Sequence, residues 1–198
     1  MSLTAQERLE YIKKQAESAL ALRREVAGEL SGKISDIAAR IAAVIGGGQK
    51  ILACGNGGSA ADSSHFVAEL VVRLTARRNR TALPAIALTA DTAVMTAAAN
   101  DYGYERVFAR QVEALGAKGD LLFALSTSGN SVNVLRAIET AQDKGMITVG
   151  LLGGNGGDML AALDLAIVIP SASTQRIQEE HKFIIHTLVE LIESDLFG

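Results

Sequence analysis

Residues 50–70 read KILACGNGGSAADSSHFVAEL. The apolar run 51–54 meets a turn carrying Gly55, Gly57 and Gly58. A helix-start signature follows at once, with Ser59 as the expected cap and Asp62 three residues on, in the spacing of a capping box. The stretch therefore reads as a strand, a tight turn and a helix N-terminus. Backbone N–H groups gathered at such a turn, with the positive end of the helix dipole behind them, suit a phosphate or another anion. Farther along the same helix His65 and Glu69 stand four residues apart and so share a face, as a metal-ligating or acid–base pair would.

The rest of the chain repeats this alternation. Short apolar runs at 85–88, 121–125, 148–152 and 165–169 are separated by helical stretches at 92–99, 105–115, 132–144 and 157–163, and a long helix closes the chain at 174–197. Continuous apolar strands alternating with helices predict a parallel sheet covered on both faces, a doubly wound α/β domain of five strands. Two helices, at 4–30 and 35–45, precede the first strand, the second stopped by Gly46-Gly47-Gly48. They form either a cover over one sheet face or a packing surface for another subunit. No repeat, low-complexity run or linker divides the chain, so residues 1–198 read as one domain with a helical extension over 1–46.

Composition narrows the function. With 48% hydrophobic and 21% charged residues the chain reads as an ordinary globular protein, and its net charge of −3 gives no reason to expect nucleic acid or a membrane surface as partner. Cys54 is the only cysteine, which excludes an internal disulfide and fits a reducing compartment. There is no apolar signal core at the start and no apolar run long enough to cross a bilayer, so a cytoplasmic location is expected.

A second loop carries chemistry. Ser126-Thr127-Ser128-Gly129-Asn130-Ser131 leaves the apolar run LLFAL and precedes a helix near Val132, so hydroxyls and amides converge at a helix start. Alone, such a loop would be a helix cap. Here it shares the carboxyl ends of parallel strands with GNGGS, the edge at which open α/β sheets bind ligands. A dinucleotide reading of GNGGSA fails for want of an acidic residue at the end of a second strand about 20 residues on, and a P-loop reading fails for want of a lysine before the serine. Serine hydroxyls and glycine amides without lysine fit a phosphate carried on a small polar substrate.

In the last helix, Ile177, His181, Ile184, Leu188 and Leu191 fall on one apolar face, while Gln178, Lys182 and His186 follow a different stripe. His181 reads as structural and His186 as functional. If the two helices meet, His65, Glu69, Gln178 and His186 form a mixed nitrogen and oxygen set acceptable to zinc, with Asp62 either orienting His65 or capping its helix.

Taken together, CGNGGSAADSSHFVAEL, ALTADTAVMTAAANDYGYE, LSTSGNS and RIQEEHKFIIH resemble the phosphoheptose isomerases of the sugar isomerase (SIS) superfamily, from about residue 40 to the C-terminus. The resemblance implies conversion of sedoheptulose 7-phosphate to D-glycero-D-manno-heptose 7-phosphate, an early step toward ADP-heptose for bacterial surface lipopolysaccharide. It also implies a zinc-dependent homotetramer with active sites at subunit interfaces. Carried over by position, the zinc ligands are His65, Glu69, Gln178 and His186. The substrate contacts are Asn56, Gly57, Gly58, Ser59, Asn100, Asp101, Ser126, Thr127, Ser128 and Ser131, with Glu69 and Gln178 shared between metal and sugar. The loop 75–83 departs from the family pattern, and its Arg77, Arg78 and Arg80, with Arg73 before them, read as a solvated basic turn.

Ketose-to-aldose conversion removes a proton at C1 and returns one at C2 through an enediol, which requires a base, a group that polarises the carbonyl and a grip on the phosphate. Glu69 and His186 are the expected proton-transfer pair. The competing reading is a non-catalytic SIS protein that binds a phosphosugar or a protein partner of the replication-initiator kind. A regulatory sugar-phosphate domain would need an attached DNA-binding module, and the N-terminal helices show none.

Overall fold

Alternate residues of the first strand belong to two different cores. The computed structural model describes residues 3–198, and in it β1 (Ile51–Gly55) sends Ile51 and Ala53 to one side and Leu52 and Cys54 to the other. The same alternation runs through β3 (Leu121–Ser126), where Leu121, Phe123 and Leu125 oppose Leu122 and Ala124. With β2 (Ala85–Ala87), β4 (Ile147–Gly153) and β5 (Leu165–Ile169) these strands make one parallel sheet in the order β2-β1-β3-β4-β5. The central strands are apolar on both faces because helices cover both.

On the Ile51 side lie α2 (Ser31–Gly46), α3 (Gly58–Val71), α7 (Thr174–Phe197) and the C-terminal part of α1 (Ala5–Glu29). On the Leu52 side lie α4 (Thr92–Tyr102), α5 (Val107–Leu115) and α6 (Val132–Asp143). Strand order reverses direction between β1 and β3, so the turns after these two strands flank one crevice. Phe66 of α3 and Phe123 of β3, both fully buried, pack with ring centroids 4.5 Å apart. A buried Phe truncated to Ala costs about 3–5 kcal/mol, and this contact fixes the roll of α3 that turns the adjacent His65 toward α7.

Three expectations change. Helix α2 begins at Ser31 rather than 35, because only Leu30 separates it from α1 and the buried Ile34 already packs in the core. The helix expected at 157–163 reduces to a single 3-10 turn, Leu160–Ala162: Gly156 and Gly157 sit at φ +86° and +53°, outside right-handed helical space. On α7, Leu191 is 36% exposed, while Val189 and Ile192 are buried, so the apolar stripe turns in the last two turns toward α2. Among the described residues no helix is long and apolar enough to cross a membrane.

Candidate active site

Helices α3 and α7 run side by side and bring two histidines together. His65 Nε2 and His186 Nε2 lie 2.8 Å apart with their rings edge to face, and Glu69 Oε1 is 3.5 Å from His65 Nε2. The donor atoms of His65, Glu69 and His186 all fall within 4.8 Å of one another, and all three residues are partly buried. Burial, then the Lys182 ammonium and His186, press the His65 pKa below its ordinary value, against the pull of Glu69 and Asp62. An imidazole kept neutral near pH 7 has its lone pair free for a cation or a proton. Two imidazoles and a carboxylate are the donor set of catalytic zinc sites that keep one position open, so these three residues fit such an ion.

Gln178 does not join them within this chain. It precedes His186 by eight residues, about 12 Å along the helix axis. It lies over Gly58 instead, where an added Cβ would stand 2.2 Å from its Nε2. There it lines a cleft with Asp62, Lys182 and Arg23. Asp62 neither caps α3 nor bonds to His65; it accepts a 2.7 Å ion pair from Lys182. Ser59 is likewise not the cap, since α3 begins at Gly58 with Gly57 before it and no side chain capping the turn.

The two loops differ in what they leave open. After β1, the N–H groups of Ser59, Ala60 and Ala61 already donate to the carbonyls of Asn56 and Gly57, so this turn offers fewer amides than its glycines suggest. After β3, Ser126 Oγ is a hub. It lies 3.0 Å from Ser131 Oγ and 3.4 Å from Ser128 Oγ, and accepts the Gly129 N–H at 3.1 Å. Ser131 is the N-cap residue of α6, yet its hydroxyl does not cap the helix and stays with the loop. Gly129, at φ +68°, is braced by the loop after β4: a Cβ there would meet the Gly156 carbonyl at 2.0 Å, and its own carbonyl accepts the Met159 N–H. Hydroxyls and the positive end of α6 thus converge at one rim, with Thr127 half-buried beside them.

Asn100 and Asp101, at the exposed end of α4, hydrogen-bond to each other at 2.8 Å. His181 is fully buried, donates Nε2–H to the Leu152 carbonyl at 3.1 Å, and is held below its usual pKa by desolvation. The Cys54 thiol is buried and pushed up to about 12 by desolvation. The basic turn needs correction at Arg80. Its side chain is 1% exposed, bonds Glu193 at 2.7 Å, and donates to the carbonyls of Glu69 and Leu70 at the negative end of α3. Arg78 bonds the Glu193 carbonyl, while Arg73 and Arg77 are exposed.

Sequence reading passed over several residues near the site. Asn133 and Tyr104 both bond to Asn56. Arg23 pairs with buried Glu180 at 2.6 Å and stacks on Phe183, tying α1 to α7. Only Lys182 carried a signal, its place on the stripe of Gln178 and His186.

The fold and the site define a class: a doubly wound α/β domain with a hydroxyl-lined anion rim at its strand ends and a His-Glu-His cluster between two flanking helices. The SIS domain family model matches residues 14–153. A phosphoheptose isomerase of Trichlorobacter lovleyi is 48% identical over 188 residues, covering 95% of each chain. The solved phosphoheptose isomerases of Neisseria gonorrhoeae and Francisella tularensis share 39% and 37% identity, with TM-scores of 0.88 and 0.91, each covering 94% of this chain and 98% of its own. The chain belongs to the SIS domain family, among the phosphoheptose isomerases.

Proposed function

We propose that this chain is an aldose–ketose isomerase that converts D-sedoheptulose 7-phosphate to D-glycero-D-manno-heptose 7-phosphate in the cytoplasm, early in the supply of ADP-heptose for lipopolysaccharide. The observation that carries this is the convergence of His65, Glu69 and His186 on one face of the α3–α7 pair, in a chain whose β3 loop offers a phosphate seat. Ser126, Thr127, Ser128 and Ser131, with the α6 N-terminus, hold the phosphate. Asn56, Gly57, Gly58, Ser59, Asn100 and Asp101 contact the sugar. Glu69 and His186 exchange the protons at C1 and C2.

His65, Glu69 and His186, with Gln178 as fourth ligand, would hold a zinc ion, which would supply Lewis-acid polarisation of the substrate oxygens. Because Gln178 and His186 are about 12 Å apart along one helix, a complete set draws Gln178 from a second copy of the chain. That requirement supports the homotetramer with sites at subunit interfaces. Support also comes from α1, whose Leu9, Ile12 and Leu20 are 56%, 64% and 58% exposed in the single chain. A carboxylate committed to a cation would be a weak base, so Glu69 would move a proton as a carboxylate not engaged with one. The non-catalytic alternative is disfavoured, since a protein that only holds a phosphosugar has no use for a convergent His-Glu-His group.

A coupled assay with sedoheptulose 7-phosphate before chelation, after it, and after zinc add-back tests the reading. Turnover lost to chelator and restored by zinc is the expected result. A folded protein inactive in all three conditions refutes it.

A further inference from the structure

The turn after β1 and the first turn of α6 are joined by a side-chain bracket. Asn56 Nδ2 donates to Asn133 Oδ1 at 2.8 Å, and Asn133 Nδ2 donates back to Asn56 Oδ1 at 2.9 Å. Asn133 is 3% exposed. Its Oδ1 also accepts the backbone N–H of Val134 at 3.0 Å, and the Tyr104 hydroxyl donates to Asn56 Oδ1 at 3.0 Å. A backbone N–H can only donate, so the Val134 bond fixes which end of the Asn133 amide is oxygen. That in turn fixes the Asn56 amide. Both lone pairs of Asn56 Oδ1 are then used, and one Nδ2–H is used, leaving Asn56 a single N–H for a ligand.

The same bracket explains why the hydroxyl of Ser131 does not cap its helix. Ordinarily the N-cap side chain accepts the N–H of the third helical residue. Here Asn133 takes that bond from within the helix, and Ser131 Oγ stays beside Ser126 Oγ. Asn56, Tyr104, Ser131 and Asn133 line one cleft of about 490 Å³ with Glu105 and Val132.

We propose that Asn133 is a positioning residue: with Tyr104 it holds the Asn56 amide in one orientation, so that a lone N–H meets a substrate oxygen while the Ser131 hydroxyl, released from capping α6, stays with Ser126 in the phosphate loop. The proposal rests on the isomerase reading above. Without Asn133 the Asn56 amide is free to turn over and present its carbonyl, which repels the same oxygen. Tyr104 strengthens the hold from an exposed position, so its hydroxyl can be removed with little risk to folding.

The test is steady-state kinetics of the zinc-loaded full chain on sedoheptulose 7-phosphate for N133A, Y104F, N56A and the doubles N56A/N133A and N56A/Y104F. The expected result is a KM raised about tenfold in N133A and about threefold in Y104F, with kcat changed less, and under twofold further effect of either substitution once Asn56 is Ala. Undiminished effects in the N56A background overturn the proposal, as does wild-type kinetics in Y104F and N133A. If N133A does not fold, the Y104F and N56A/Y104F pair decides. The bracket is also read without turnover, from the side-chain amide region of the ¹H–¹⁵N spectrum. Asn56 amide protons that shift in Y104F and N133A support it; unshifted protons overturn it. A wild-type chain with the bracket signal but no turnover and no binding of sedoheptulose 7-phosphate defeats the isomerase reading, and the positioning role with it.

Discussion

Replacing Arg80 by Met removes the charge that joins the loop before β2 to α7. Arg80 and Glu193 side chains are 1% and 6% exposed and 2.7 Å apart, so the variant strands a carboxylate away from water. Breaking one side of a buried pair costs about 3–5 kcal/mol. The carbonyls of Glu69 and Leu70 lose their donors in the same change, and since these losses share one side chain they do not add in full. The expectation is a loss of about 4 kcal/mol, or roughly 10 °C in Tm for a chain of this size. The companion R80M/E193M removes both charges and regains at least half of that, because no ion is left unpaired. Urea unfolding followed by circular dichroism, at one protein concentration so that association contributes equally, measures both. A loss under about 1 kcal/mol in R80M, or a double variant no more stable than the single, refutes the argument that this pair and not the surrounding packing holds the loop.

Three further outcomes are expected. Glu69→Gln keeps the shape of the side chain and lowers turnover by about 10²–10⁴-fold, while calorimetric binding of sedoheptulose 7-phosphate changes only a few-fold; retained turnover, or binding and folding lost together, would remove Glu69 from proton transfer. Gly58→Ala pushes against the mobile end of Gln178, so the melting temperature holds while the KM rises; wild-type kinetics in that variant would show that Gln178 has no part in the site. His181 is buried with its pKa below 6.5, and the unfolded chain therefore takes up its proton first as the pH falls. Its contribution to stability is complete above about pH 6.5 and is lost on acidification from there toward the folded pKa, so unfolding free energy declines in that window and declines less in His181→Leu; equal slopes in the two proteins would contradict this.

What the sequence determined by itself was local and periodic. Short apolar runs between turn residues marked all five strands, most sharply β1 and β3, which are buried at every position because helices cover both faces of the sheet. GNGGS and STSGNS marked the crevice edge, because turns that leave parallel strands share one end of the sheet. The four-residue step from His65 to Glu69 settled that they share a face. Tertiary structure decided whatever depends on which helices touch. It joined His186 to His65 and Glu69 and laid Gln178 over Gly58. It gave Asp62 to Lys182 and drew Arg80 into the core, since an arginine in a loop carries no mark of the carboxylate it will meet more than a hundred residues later. The Asn56–Asn133 bracket was equally invisible: two common polar residues 77 positions apart acquire a role only when the sheet lays β1 beside β3.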